Sequence, residues 1–416
     1  MKFLKSMSLF ALLTSTAVSA QDVTLSYMMW DPSQLEVEQA TILEFEAANP
    51  GVKVETSAMP PKDYWPKLSA LAAAGDLPDV FAMSSGFVKG WAAAGNLADL
   101  TAVTADSDLT AYYAGALEPG MFDGKMVAFP QNWVAPVMYY NRDMFDAAGI
   151  SYPTDSWTYD DFLAAAKALT TGDQWGFWLY GRYAHVDTWT FRNGGRYLNA
   201  DETKIELNQE AKNTLKFLAD LVLEHKVAPM PQEMEGIRQQ DVFPMGMAAM
   251  WVDGSWNIDN VRKVADPDMN WGIAQVPLGP DATANTAAAY AWADMLSVAD
   301  TSDNKDLAWK FIQHMVGEGR TADDFPGGKV PAFRAIAESE EWLESDQKPD
   351  NKGLILEIGA QNVYTGFSDN WGAWRGYAAE KTAGMNGEID QVLNGRKSLD
   401  DAIEGFTSYG NEVLAR

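Results

Sequence analysis

The residues of this chain best suited to chemistry are large aromatic rings set close to carboxylates, amides and hydroxyls, several of them just after runs that read as strands. The groups are Trp30 with Asp31, Ser84 with Ser85, Asn132 with Trp133, Asp253 with Trp256, Trp292 with Asp294, and Trp371 with Arg375. That combination suits a saccharide. A sugar ring offers an apolar C–H face to an aromatic platform and an equator of hydroxyls to Asp, Asn, Gln or Arg. Leaving one such polar group unpaired costs about 1–3 kcal/mol, which makes the site selective.

Each candidate also has a plainer reading. The chain carries 16 Trp, 15 Tyr and 18 Phe, and a large protein can bury many of these in its core. Trp292, with Asp294 two residues on, is the strongest platform, whereas Trp251 lies inside an apolar run and reads as core. Trp371 and Trp374 compete for one place. Asp31, Ser84 and Ser85 would serve equally as helix-cap or turn residues. Arg375 would pair with a surface carboxylate, bind sugar hydroxyls bidentately, or meet an anionic ligand.

Catalytic and cofactor chemistry finds little support. There is no Cys, so thiol nucleophiles and thiolate metal sites are absent. His185, His225 and His314 are far apart and lack an H-E-x-x-H spacing, so no metal site is expected. No G-x-S-x-G, P-loop or G-x-G-x-x-G stretch appears, and no cofactor is implied. The acidic stretch Asp266-Pro267-Asp268-Met269-Asn270 lacks the Gly and distal Glu of a calcium loop. Two rivals stay open. A secreted glycoside hydrolase needs a carboxyl pair across the scissile bond, and carboxylates are plentiful, but no stretch singles out a pair. A non-sugar solute, a betaine or a polyol, is the other; a cage of three or more rings with few hydrogen-bonding groups would favour the betaine.

The elements that must hold these residues follow from length and pattern. With 416 residues the chain suits two lobes rather than one core. Lys2 and Lys5, the apolar run Met7–Leu13 and Val18-Ser19-Ala20 form an export signal cleaved after Ala20, and no later stretch is long and apolar enough to span a membrane. The mature protein is therefore expected to be periplasmic and not inserted in the membrane. A net charge of −27 argues against nucleic acid as a partner. Strand and helix alternate through Val23–Met28, a helix opened by Ser33 and Glu36, Val52 and Val54, a helix Leu68–Ala74 ended by Gly75, and Val80–Met83. This predicts an α/β lobe with a largely parallel sheet, whose ligand lies beyond the strand ends. Thr158 with Asp161, Asn208, and Ser398 with Asp401 read as further helix starts.

Gly124–Ala148 is the pivotal stretch. Met126–Phe129 reads as a buried strand stopped by Pro130, Val134–Tyr140 as a second strand, and Asn141 as the cap of the next helix. Between them Gln131-Asn132-Trp133 is expected to cross from one lobe to the other and face the ligand.

Over nearly all of its mature length the chain resembles the extracellular solute-binding proteins of the maltose-binding-like, carbohydrate-type group, which feed ABC importers. The resemblance rests on Gly124-Lys125 to Phe129-Pro130, on Tyr139-Tyr140-Asn141-Arg142-Asp143-Met144-Phe145, and on Trp157-Thr158-Tyr159-Asp160-Asp161-Phe162. Phe243-Pro244-Met245-Gly246-Met247-Ala248-Ala249-Met250 with Gly254-Ser255-Trp256 looks like the family's F-x-x-G-K-A-A-M…G-S-W, with Met247 where Lys is usual. The resemblance implies an α/β, two-lobe periplasmic binding-protein fold of type II, with a hinge crossed three times, near Gln131, Tyr290 and Gly328. One lobe would hold 21–132 plus 291–328 and the other 133–290 plus 329–416. It also implies a monomer that captures a small sugar or sugar derivative without catalysis and delivers it to a membrane permease.

Overall fold

The computed structural model describes residues 23–415 apart from 173, 181–182, 284–285, 287–288, 291, 318, 345, 362, 365–370 and 377–383. The export signal, and Ala291 and Asn370 beside two of the candidate tryptophans, lie outside the described residues. The main strands, in chain order, are β1 (Val23–Met29), β2 (Val52–Ala58), β3 (Val80–Ser84), β4 (Phe129–Val134), β5 (Pro136–Asn141), β6 (Trp175–Trp178), β7 (Ala248–Gly254), β8 (Trp271–Ala274), β9 (Trp292–Val298) and β10 (Val330–Pro331). They form one six-stranded sheet in the order β10-β4-β9-β3-β1-β2 and one four-stranded sheet in the order β8-β5-β7-β6. The fold is α/β with two lobes, one built on each sheet.

The first sheet is mixed rather than largely parallel. β1 runs parallel to β2 and β3, because the helices Pro32–Ala48 and Pro61–Ala74 return the chain as crossovers. β9 is antiparallel to both β3 and β4, and β10 to β4. β9 comes back from the other lobe, so no crossover helix fixes its direction.

Pro130, expected to stop a strand, lies inside β4. The ladder shifts register there: Met295 faces Pro130 and Asp294 faces Asn132, which leaves Gln131 as the extra residue of a bulge. A bulge is one of the few sheet positions that tolerates a residue without an N–H. The chain leaves the first sheet at Ala135, later than the crossing expected near Gln131. Trp133, Val134, Val330 and Pro331, all expected in the second lobe, are paired into the first sheet.

Asn141, Thr158, Asn208 and Ser398 cap their helices as their spacing predicts, each accepting from a backbone N–H two or three residues into the helix. The first helix differs. Its cap is Asp31, whose Oδ1 accepts from Ser33 and Gln34 N–H at 3.1 Å each, and Pro32 fills the first helical position. The box expected from Ser33 and Glu36 is not used.

Alternation along β5 and β7 divides the packing of the second sheet. Met138, Tyr140, Met250 and Val252 pack beneath helices Tyr159–Leu169, Tyr183–Arg192 and Gln209–Leu223. Val137, Tyr139 and Trp251 face the other way and pack continuously with the core of the first lobe. Trp251 is fully buried and stacks on Tyr139 at 5.1 Å, consistent with its place in an apolar run. The lobes also meet where helix Ser85–Ala93 rests on helix Trp371–Arg375. A Cβ on Gly372 would come within 2.2 Å of the Phe87 ring, and one on Gly86 within 2.8 Å of Trp292 and 3.0 Å of Trp371. Glycine at both positions permits this approach.

Candidate binding cleft

A cleft of about 470 Å³ lies beyond the strand ends of the first sheet, facing the loop that follows β7. Its floor carries Ser84 and Asp294, and Asn132 stands beside Asp294 on the next strand. Ser84 of β3 is the register partner of Asp294 of β9, and Asp294 is in turn the partner of Asn132 of β4. Residues level with one another in a ladder project to the same face, so the row is dictated by pairing. The Asn132 amide donates to the Asp294 carboxylate. Ser84 and Asn132 are almost wholly buried, and Ser84 Oγ and Asn132 Oδ1 have no hydrogen-bond partner among the described residues.

One wall comes from the end of β1 and the helix Pro61–Ala74. Trp30 stacks on Trp65 at 5.5 Å and 29°, and Trp65 stacks on Phe87 at 4.3 Å. Asp31 does two jobs. While Oδ1 caps its helix, Oδ2 accepts from Lys329 Nζ at 2.9 Å. Burial raises the Asp31 carboxyl, but Lys329 and the Gln34 and Ser33 amides outweigh it and hold the group below its ordinary value. For Lys329, burial acts downward and is outweighed by Asp31 and Asp294, so the ammonium is raised. Burial also raises the Asp294 carboxyl, against the pull of Lys329 and the Asn132 amide.

The opposite wall is the turn after β7, with Trp256, Asn257, Asp259 and Asn260, together with Gln240. The Tyr139 hydroxyl donates to Gly254 O at 2.7 Å, and Ser255 Oγ donates to Gly328 O at 2.7 Å, which ties the turn to both lobes. The Trp256 ring folds back over Gly254, where a Cβ would lie 2.0 Å from it.

Six of the twelve sequence candidates therefore line one cleft: Trp30, Asp31, Ser84, Trp256, Trp292 and Asp294. Asn132 reaches it through Asp294. The others are placed elsewhere for definite reasons. Ser85 begins a helix, and its Oγ accepts from Ala293 N–H at 3.1 Å. Trp133 follows Asn132 in a strand and so points to the opposite face, where it meets Tyr113 and lines a separate cavity of about 870 Å³ behind the hinge strands. Asp253 is fully buried within β7, and its Oδ1 accepts from its neighbour Gly254 N–H. Trp371 meets the edge of Trp292 at 4.8 Å but does not line the cleft; Trp374 is buried beyond it. Arg375, read as a surface or cleft cation, is buried against Asp187 at 2.8 Å and lies over Tyr197 and Trp374. Trp292 is 6% exposed, so its ring is both a wall of the cleft and part of the packing.

Sequence reasoning missed Lys329, Trp65, Gln240, Asn257 and Asn260. The breaker Phe325–Gly328 signalled a crossing, and the polar residue just after it was the available clue to Lys329. Trp65 lies in a helix whose start the Leu68–Ala74 reading set too late; it begins at Pro61. Among the described residues no group of three or more His, Asp or Glu is placed to hold a metal ion, and no helix is long and apolar enough to cross a membrane.

Comparison with known proteins agrees with this architecture. A family model described as bacterial extracellular solute-binding protein matches residues 31–321. A binding protein of Brucella abortus is 25% identical over 279 residues, covering 65% of this chain and 66% of its own length. The matched part thus spans just under two thirds of that relative. The maltotriose-binding protein of Pyrococcus abyssi is 24% identical over 394 residues, 92% of this chain and 80% of that one. Among solved structures, an ABC substrate-binding protein of Listeria monocytogenes in complex with cycloalternan superposes with a TM-score of 0.82 at 26% identity, covering 94% of this chain and 99% of that one.

Proposed function

The chain belongs to the bacterial extracellular solute-binding protein family, and on that premise we propose that it is the exported capture component of an ABC importer for a small carbohydrate. The observation that carries this reading is the cleft itself. Trp30, Trp256 and Trp292 supply faces for apolar C–H surfaces, while Asp31, Ser84, Asn257, Asp294 and Lys329 surround them with donors and acceptors. So many polar groups favour a polyhydroxylated guest over a betaine, for which rings alone would suffice. The function needs no bond-making step: the ligand is held between the lobes, the hinge strands flex, and the loaded protein, a monomer after export-signal removal, meets its permease. We place one lobe on the six-stranded sheet through Val134 and from Trp292 to Pro331, with the four-stranded sheet and the C-terminal helices in the other.

The maltotriose and cycloalternan in the names of the relatives make α-linked glucosides the first compounds to try. A thermal-shift screen of the purified protein against sugars, polyols and betaines tests the reading. Ligand at a thousandfold excess over Kd adds about 4 kcal/mol of stability, which moves the melting midpoint by several degrees. Silence with every sugar, together with cleavage of a polysaccharide, would replace the capture reading with a hydrolase.

A further inference from the structure

The charges lining the cleft do not balance. Asp31, Asp259 and Asp294 face a single cation among the described lining residues, Lys329. Two of the three carboxylates are already engaged: Asp31 by Lys329 at 2.9 Å and Asp259 by Lys263 at 2.6 Å. Asp294 forms no contact ion pair with a described residue: it accepts from the Asn132 amide and feels Lys329 only at longer range, a cation whose contact partner is Asp31. Next to it across the ladder is Ser84 Oγ, an acceptor buried to 4% exposure and without a partner. Trp292 begins the same strand two residues before Asp294.

We propose that this corner of the cleft takes a protonated amino group, and that the ligand class is an amino sugar rather than a neutral or anionic one. The inference rests on the saccharide reading of the cleft. An ammonium carries three donors and no acceptor, which matches a carboxylate oxygen, a hydroxyl oxygen and the negative face of an indole. A sugar hydroxyl would also satisfy Asp294, but it leaves the carboxylate charge uncompensated, whereas an ammonium adds the attraction of opposite charges at hydrogen-bond distance in a partly dry site. A phosphate or carboxylate substituent would meet an unpaired carboxylate at short range in a partly dry site, where like charges repel strongly. The net charge of −27 adds a long-range bias toward cationic ligands.

Titration calorimetry at low salt, on the full chain, tests this with matched sets. Each set holds a parent hexose, its 2-amino, its 2-acetamido and its 6-phosphate derivative, in the gluco, galacto and manno series. In the series that binds, the amine should be tighter than the parent and the acetamide by about tenfold, with the phosphate weakest. In Asp294→Asn the ratio of amine to parent affinity should fall to about one. Equal or tighter binding of the neutral parent overturns the inference and leaves the saccharide reading standing. Binding of glycine betaine or choline with no response to any hexose overturns both.

Discussion

Two ion pairs in this molecule are built from the same kinds of residue and end in opposite situations. Lys329 and Asp31 meet at 2.9 Å among Trp30, Trp65 and Trp256, with side chains 17% and 32% exposed to the cleft. Arg375 and Asp187 meet at 2.8 Å beside Trp374 and Tyr197, each 1% exposed. In the first pair part of the polar surface is left for a guest. In the second, rings and a carboxylate enclose the guanidinium. Aromatic rings beside charges therefore do not identify a ligand site; what does is polar capacity left over beside a void.

The contrast is broken most sharply by truncating the sealed pair. Arg375→Ala strands the Asp187 carboxylate and should lower unfolding free energy by about 3–5 kcal/mol in urea titration. Sugar affinity of the fraction that stays folded should change little; loss of binding at unchanged stability would mean that Arg375 is a ligand contact. Asp31→Ala should do the reverse. Losing the helix cap costs about 1 kcal/mol, while affinity for the ligand found in the screen should fall by about tenfold or more, because a donor in the cleft loses its partner.

The smallest effect is in pH dependence, where the two carboxylates differ in sign. Burial pushes Asp187 up to about 6, against the pull of Arg375 and the Tyr197 hydroxyl. The folded state then holds a proton that the unfolded state, near 3.8, has lost, so this stabilising contribution is full below 3.8 and declines as pH rises through about 6. Asp31 is held below 3.8, so its contribution is present above that value and is lost as pH falls through the folded one. Unfolding free energies measured between pH 3 and 7 should lose the declining component in Asp187→Asn and the rising one in Asp31→Asn. Identical profiles in the two variants would erase the distinction.

Much of the cleft was legible because strand ends in α/β sheets open onto the ligand crevice. Trp30, Asp31, Ser84, Trp256 and Asp294 all stand at or near such ends. The period of a strand would also have separated Asn132 from Trp133, since neighbours cannot share a face, but the expectation placed that triplet in a loop. The bulge at Gln131 hid the strand: Pro130 reads as a stop unless the register of its partner is known. The ion pairs of Lys329 and Arg375 were illegible for a different reason. Their partners Asp31 and Asp187 lie far away in sequence, and only the fold brings them together. The α/β class and two lobes followed from alternation, length and family resemblance, whereas the antiparallel strand in the middle of the first sheet depended on the return of β9 from the other lobe.

The Trp256 indole rests on a position that has no side chain. At Gly254 a single methyl would occupy the space of the ring, so substitution there would evict one face of the cleft although residue 254 is itself buried behind it. Ligand preference in this protein can thus drift through a residue the sugar never meets, and a survey of variants limited to contact positions would overlook it.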